Sequence, residues 1–142
     1  MKKILLFLVL SMTPLTSWGE LPPQFVKAIH LVETGGRLGM IKGDDGKALG
    51  PLQIHYGCWK DSRVKGTYQQ VTNLAYSIKV MEAYLIRYCP KAVKKNDFEN
   101  MSRVWNGGPA APHNFNTNRY WDRVKEHLPK QIIDNLSCHS TR

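Results

Sequence analysis

The sequence predicts an α+β domain, mainly α, and three observations lead there. Val71, Leu74, Ile78, Met81, Leu85 and Tyr88 recur every three or four positions, the spacing of one face of a long helix. Shorter stretches with the same period lie between residues that start and stop helices. Between Leu38 and His55 the pattern changes to turn residues and a short strand-like run. The expectation is a helical domain carrying a small β-hairpin or sheet region.

Each element has a local reason. Pro22 and Pro23 suit a helix start, Gly35 and Gly36 suit its stop, and Phe25, Ile29 and Val32 share one stripe between them. The long helix should end near Cys89-Pro90; it spans under three heptads, so a core helix burying one face accounts for it better than a coiled-coil seam. Asn96-Asp97-Phe98-Glu99 reads as a capping box with Asn96 as the cap. Phe98, Met101 and Val104 or Trp105 then face inward until Gly107-Gly108-Pro109 stops the helix. Thr117 is placed to cap a further helix bearing Tyr120, Trp121, Val124 and Leu128, ended by Pro129, before a short tail helix around 131–136. No repeat or linker divides residues 20–142, which read as one domain.

Residues 1–19 read as a secretory signal. Lys2 and Lys3 form the charged start, Ile4 to Leu10 the apolar core, and Ser17-Trp18-Gly19 a small-x-small cleavage site. The apolar run is shorter than the roughly 20 residues a membrane helix needs. The chain is therefore expected to be secreted or periplasmic, with no integral membrane segment after cleavage. Its formal net charge of +9 suits an anionic partner: a cell-wall polymer, a lipid surface or nucleic acid. Nothing resembles an RGG tract, zinc knuckle or RNP motif, so nucleic acid is not expected. Cys58, Cys89 and Cys138 are an odd set for an oxidising compartment; one disulfide with one thiol left over is the simplest count, and three pairings are possible. The five histidines are scattered and none has zinc-ligand spacing to a cysteine, so neither a metal nor another cofactor is expected.

The chemistry centres on Glu33. A carboxylate at the negative end of a helix dipole, beside an apolar stripe, is badly placed for ionisation. That environment suits a general acid, which must hold its proton near neutral pH. Asp44 and Asp45 follow on a turn, Gly43-Asp44-Asp45-Gly46, a sequence that is also a common turn with no catalytic meaning. Two carboxylates flanking a scissile bond are what glycosidic cleavage needs. Gln53 is the one polar amide in its strand-like run, and Tyr56, Trp105, Asn106, Gly107 and Tyr120 supply further aromatic faces and polar groups of the kind that hold sugars.

The order Val32-Glu33-Thr34-Gly35-Gly36, Asp44-Asp45-Gly46, Gly50-Pro51-Leu52-Gln53-Ile54, Trp105-Asn106-Gly107-Gly108-Pro109 and Tyr120-Trp121 resembles the lysozyme superfamily, most closely the invertebrate-type (destabilase-like) lysozymes. The resemblance runs from about Phe25 to Leu128. It implies a lysozyme-like helical domain with its β region beside an active-site cleft. It also implies cleavage of the β-1,4 bond between N-acetylmuramic acid and N-acetylglucosamine in peptidoglycan, with Glu33 as general acid. Asp44 is its implied partner, with Asp45 as the rival. Substrate contacts are then expected from Gln53, Tyr56, Trp105, Asn106, Gly107 and Tyr120. Two departures stand out: the chain is poor in cysteine, and the serine-bearing stretch that accompanies a peptidase side activity reads Gly46-Lys47-Ala48-Leu49 here. The peptidase activity is not carried over. Glu33 with Gly50-Pro51-Leu52-Gln53 and Trp105-Asn106-Gly107-Gly108 is also similar to the motifs of lytic transglycosylases, which use a single Glu and leave 1,6-anhydro ends. A third expectation, from another class, is a non-catalytic wall-binding or inhibitor protein on the same scaffold.

Overall fold

The computed structural model describes residues 21–111 and 115–139, with side chains except at position 115 and from 137 onward. Helix α1 (Pro23–Thr34) comes first, then strands β1 (Lys42–Gly43), β2 (Ala48–Leu49) and β3 (Ile54–His55). Helices α2 (Tyr56–Ser62), α3 (Leu74–Tyr88), α4 (Pro90–Lys95), α5 (Phe98–Gly107), α6 (Asn118–Glu126) and α7 (Lys130–His139) follow. Mainly α with one small sheet, this is the predicted class. Residues 1–19, read as a secretory signal, lie outside the described residues. Among the described residues no helix is long and apolar enough to cross a membrane.

Helix α1 starts and stops where the sequence says. Gly35 takes a left-handed conformation at φ 64°, and its N–H donates to Leu31 O while that of Gly36 donates to His30 O. This pairing satisfies carbonyls the helix end would otherwise orphan. Phe25, Ile29 and Val32 are buried, with the Phe25 ring stacked on Phe98 at 5.2 Å between centroids. Met81 and Leu85 from α3, Met101 and Val104 from α5 and Val124 from α6 complete the core around them. Each large apolar side chain so buried contributes about 1.5–3 kcal/mol.

Two boundaries differ from expectation. The long helix is interrupted: Val71 belongs to a separate 3-10 turn (Tyr68–Thr72), and α3 begins afresh because the Asn73 side chain accepts from the Tyr76 N–H. The buried face of α3 is accordingly Ser77, Val80, Met81, Tyr84 and Leu85, while Leu74, Ile78 and Tyr88 are half-buried. At α5 the cap is Asp97, whose carboxylate accepts from the Asn100 N–H at 3.1 Å. Asn96 instead ends α4 at φ 53°, and Glu99 pairs with Arg103 one turn on rather than closing a capping box. Helix α6 buries Tyr120, Trp121 and Val124 as predicted.

The sheet is antiparallel in the order β1-β2-β3, with Gly43 opposite Ala48 and Ala48 opposite His55. Gly50, at φ 81°, makes the turn after β2 possible: a Cβ there would sit 2.0 Å from the Val71 carbonyl oxygen. The Thr34 hydroxyl donates to Pro51 O at 3.0 Å and ties the end of α1 to this turn. The carboxylate-bearing helix end and the sheet are thereby held in one place.

No bond joins Cys58 to Cys89, so of the three possible pairings that one is not formed. Cys58 lies in the first turn of α2 and Cys89 at the junction of α3 and α4. Pairings with Cys138 rest on a side chain outside those described.

Candidate active site

Glu33 is half-buried in the last turn of α1, facing a cleft of about 290 Å³. Its walls include Asp44, Gln53 and His55 from the sheet side and Trp105 and Asn106 from the end of α5. Burial holds the Glu33 carboxyl above its ordinary pKa range and outweighs three opposing influences: the Tyr120 hydroxyl, the Arg123 guanidinium and the Trp105 side chain. Tyr120 donates to Glu33 Oε1 at 2.6 Å, across 87 positions of sequence. One turn along α6, Arg123 donates to Val32 O at 2.7 Å, so α6 grips the end of α1 at two adjacent points.

Asp44 is the second carboxylate of the cleft. It and Asp45 both adopt positive φ, 49° and 53°, a region that side chains other than Asn, Asp and Gly seldom occupy. Two consecutive residues of this kind turn the chain sharply between β1 and β2, and the first carboxylate projects to the cleft. Its Oδ2 lies 3.4 Å from His55 Nε2, an ion pair when the imidazole is protonated. Asp45 is exposed and is not among the residues that line the cleft.

The remaining expected contacts divide. Trp105 and Asn106 line the cleft beside Glu33. Gln53 lines it too, but its amide N–H donates to Gly50 O at 2.9 Å and to Ile41 O at 3.3 Å, so half of its hydrogen-bonding capacity holds the turn. Its Oε1 lies so close to Gly43 that any side chain there would collide with it. Tyr56 stands apart from the cleft walls: 55% exposed, it packs its ring on Trp59 and Tyr68. Gly107 does not line the cleft; a Cβ there would press on Thr117 and Ala111. Tyr120 is buried and meets the site through Glu33 instead of offering its face to a sugar.

Sequence reasoning passed over His55, Cys58 and Arg123. His55 was within reach, since it is the polar residue that closes the same strand-like run as Gln53. Arg123 follows Tyr120 by three positions on one helix face, a signal that has meaning only once α6 is known to pack on α1. Cys58 lines the cleft as a thiol pushed up to about 12, by burial first and by Asp61 second. It therefore stays protonated and is no nucleophile near neutral pH.

A cleft between a helix-end glutamate and a small antiparallel sheet, inside a mainly helical domain, is a lysozyme-like arrangement, and the comparisons with known proteins agree. The chain is 34% identical over 112 residues to "Lysozyme 1" of Crassostrea virginica, a stretch that is 77% of this chain and 61% of that relative. In fold it matches the crystal structure of Tapes japonica lysozyme with a TM-score of 0.61 at 25% identity, covering 72% of this chain and 87% of that one. It also matches a chain in the crystal structure of Aeromonas hydrophila PliI in complex with Meretrix lusoria lysozyme, with a TM-score of 0.65 at 24% identity, over 75% of this chain and 89% of that one. No family model matches the sequence. The chain is thus similar to invertebrate lysozymes in sequence and shares their fold, as its motifs imply.

Proposed function

We propose that this chain is an exported muramidase, cutting the β-1,4 bond between N-acetylmuramic acid and N-acetylglucosamine in peptidoglycan. The observation that carries the proposal is the pairing of unlike carboxyls in one cleft: Glu33, whose proton burial favours, and Asp44, exposed to solvent. Unequal burial of two carboxyls assigns the acid and its partner. Glu33 protonates the leaving oxygen, and Asp44 acts as nucleophile or stabilises the oxocarbenium-like transition state, a template drawn from the general chemistry of glycoside hydrolases. Trp105 and Asn106 contact the sugar from one wall and Gln53 from the other. Asp45, Tyr56 and Gly107 are left with roles in the turn, the surface and the α5 end.

Residues 1–19 direct export and 20–142 form the working domain, whose positive charge draws it to the anionic wall and not to nucleic acid. The likeness to "Lysozyme 1" supports this reading. Mass spectrometry of peptidoglycan digested by the full protein tests it. Reducing ends are expected; 1,6-anhydro ends would make the enzyme a lytic transglycosylase, and intact glycan would make it a binding protein.

A further inference from the structure

Glu33 has two carboxyl oxygens, and one of them, Oε1, is tied to α6. Tyr120 is buried, and among the described residues its hydroxyl has a single acceptor, Glu33 Oε1 at 2.6 Å. Turning away would leave a buried donor unsatisfied, which is costly. The phenol titrates well above its ordinary value because of burial and then of Glu33 itself, so it stays a donor. The neighbouring grip of Arg123 on Val32 O fixes the distance between α6 and the helix end, leaving the phenol little freedom to withdraw.

We propose that Tyr120 is a positioning residue for the acid, reserving Glu33 Oε2 for the transferable proton and stabilising the carboxylate that remains once the proton is given up. The proposal rests on the assignment of Glu33 as the acid. In the step concerned, the Oε2–H bond breaks as an O–H bond forms on the glycosidic oxygen. The electron pair of the cleaved C–O bond stays on that oxygen. Negative charge appears on Glu33 at this moment, and a hydrogen bond strengthens when its acceptor becomes charged. The contact therefore favours the transition state over the ground state, which is what accelerates a reaction. Its price is a proton held less firmly, offset by the burial that keeps Glu33 raised overall. The other groups around Glu33 are Arg123 on α6, Trp105 on α5, and Asp44, His55 and Cys58 on the cleft walls. Replacing the Tyr120 hydroxyl alters none of these directly.

Two opposite effects of Tyr120→Phe test this in the full protein. The Glu33 titration, followed by carboxyl carbon NMR, should move up, since a hydrogen bond to the ionised form is lost. The plateau kcat should fall about ten-fold with KM little changed, given the strength of charge-assisted hydrogen bonds. A merely structural tyrosine would lower the active fraction without moving the titration. A Glu33 titration that stays put or moves down overturns the proposal. Should the phenylalanine variant not fold, fluorotyrosine incorporated at all six tyrosines supplies a stronger donor, and of the tyrosines it is Tyr120 that hydrogen-bonds Glu33. Glu33 should then titrate lower; no shift, or a rise, overturns the proposal equally. If the natural protein cleaves no glycan, the assignment of Glu33 as an acid fails, yet the NMR titration still decides whether Tyr120 and Glu33 are coupled.

Discussion

Glu33→Gln keeps the side chain's shape and its acceptor for Tyr120 while removing the transferable proton. On the proposed mechanism, glycan cleavage should drop by a factor on the order of 10²–10⁴, with binding retained. The same substitution has a consequence for stability whose sign follows from the raised pKa. In the unfolded chain Glu33 ionises near its ordinary value, while in the folded protein burial delays ionisation. Folded stability contributed by this group is therefore full below the unfolded pKa and is lost as pH rises toward the folded one. Urea unfolding should show the Gln variant gaining on the natural protein across that window, and a gap independent of pH would refute the burial argument. Asp44→Asn should cost more activity than Asp45→Asn in initial-rate assays, because Asp44 lines the cleft and touches His55 while Asp45 does neither. Greater damage from Asp45 would mean that the partner carboxylate is misassigned by one residue.

Elements position these side chains through a few contacts that can be removed one at a time. Gly50→Ala would drive a Cβ into the Val71 carbonyl at an already left-handed position, so a loss of about 1–3 kcal/mol in thermal unfolding is expected. A neutral result would show that the turn after β2 can relax. Asp97→Ala should cost about 0.5–2 kcal/mol by removing the α5 cap, and no such loss would place the cap elsewhere. Helix existence was readable from apolar period, and both ends of α1 from Pro23 and Gly35. Boundaries set by a single polar side chain were not: Asn73 splits the long stripe and Asp97 takes the cap from Asn96. Both choices depend on which backbone N–H a short side chain reaches, and neighbouring Asn and Asp residues compete for that on nearly equal terms. Helix α2 was missed because its seven residues begin in a strand-like run and include Gly57, leaving no helical stripe to detect.

At the scale of the whole molecule, the proposed function assigns the chain's positive charge and its cleft to different steps. Raising salt should weaken binding to the anionic wall through screening while leaving turnover of bound substrate largely unchanged. A salt effect confined to turnover would argue against charge-led attraction. The position of Glu33 was legible in sequence because helix end, apolar stripe and glycine stop are all local. The partnership of Glu33 with Tyr120 and Arg123 was not, since it joins α1 to a helix almost ninety positions away through packing alone. Tyr120 and Gln53 both lie at the candidate site, but the fold turns one inward against Glu33 and ties part of the other to its own turn. The central claim, a glutamate kept protonated to act as an acid, is most directly tested by the pH dependence of glycan cleavage at fixed salt. Activity should fall as Glu33 loses its proton, on a basic limb that lies above about 4.3, the ordinary glutamate value. A limb at or below that value would contradict the account, because Glu33 would then be ionised where the proposed mechanism needs it to be an acid.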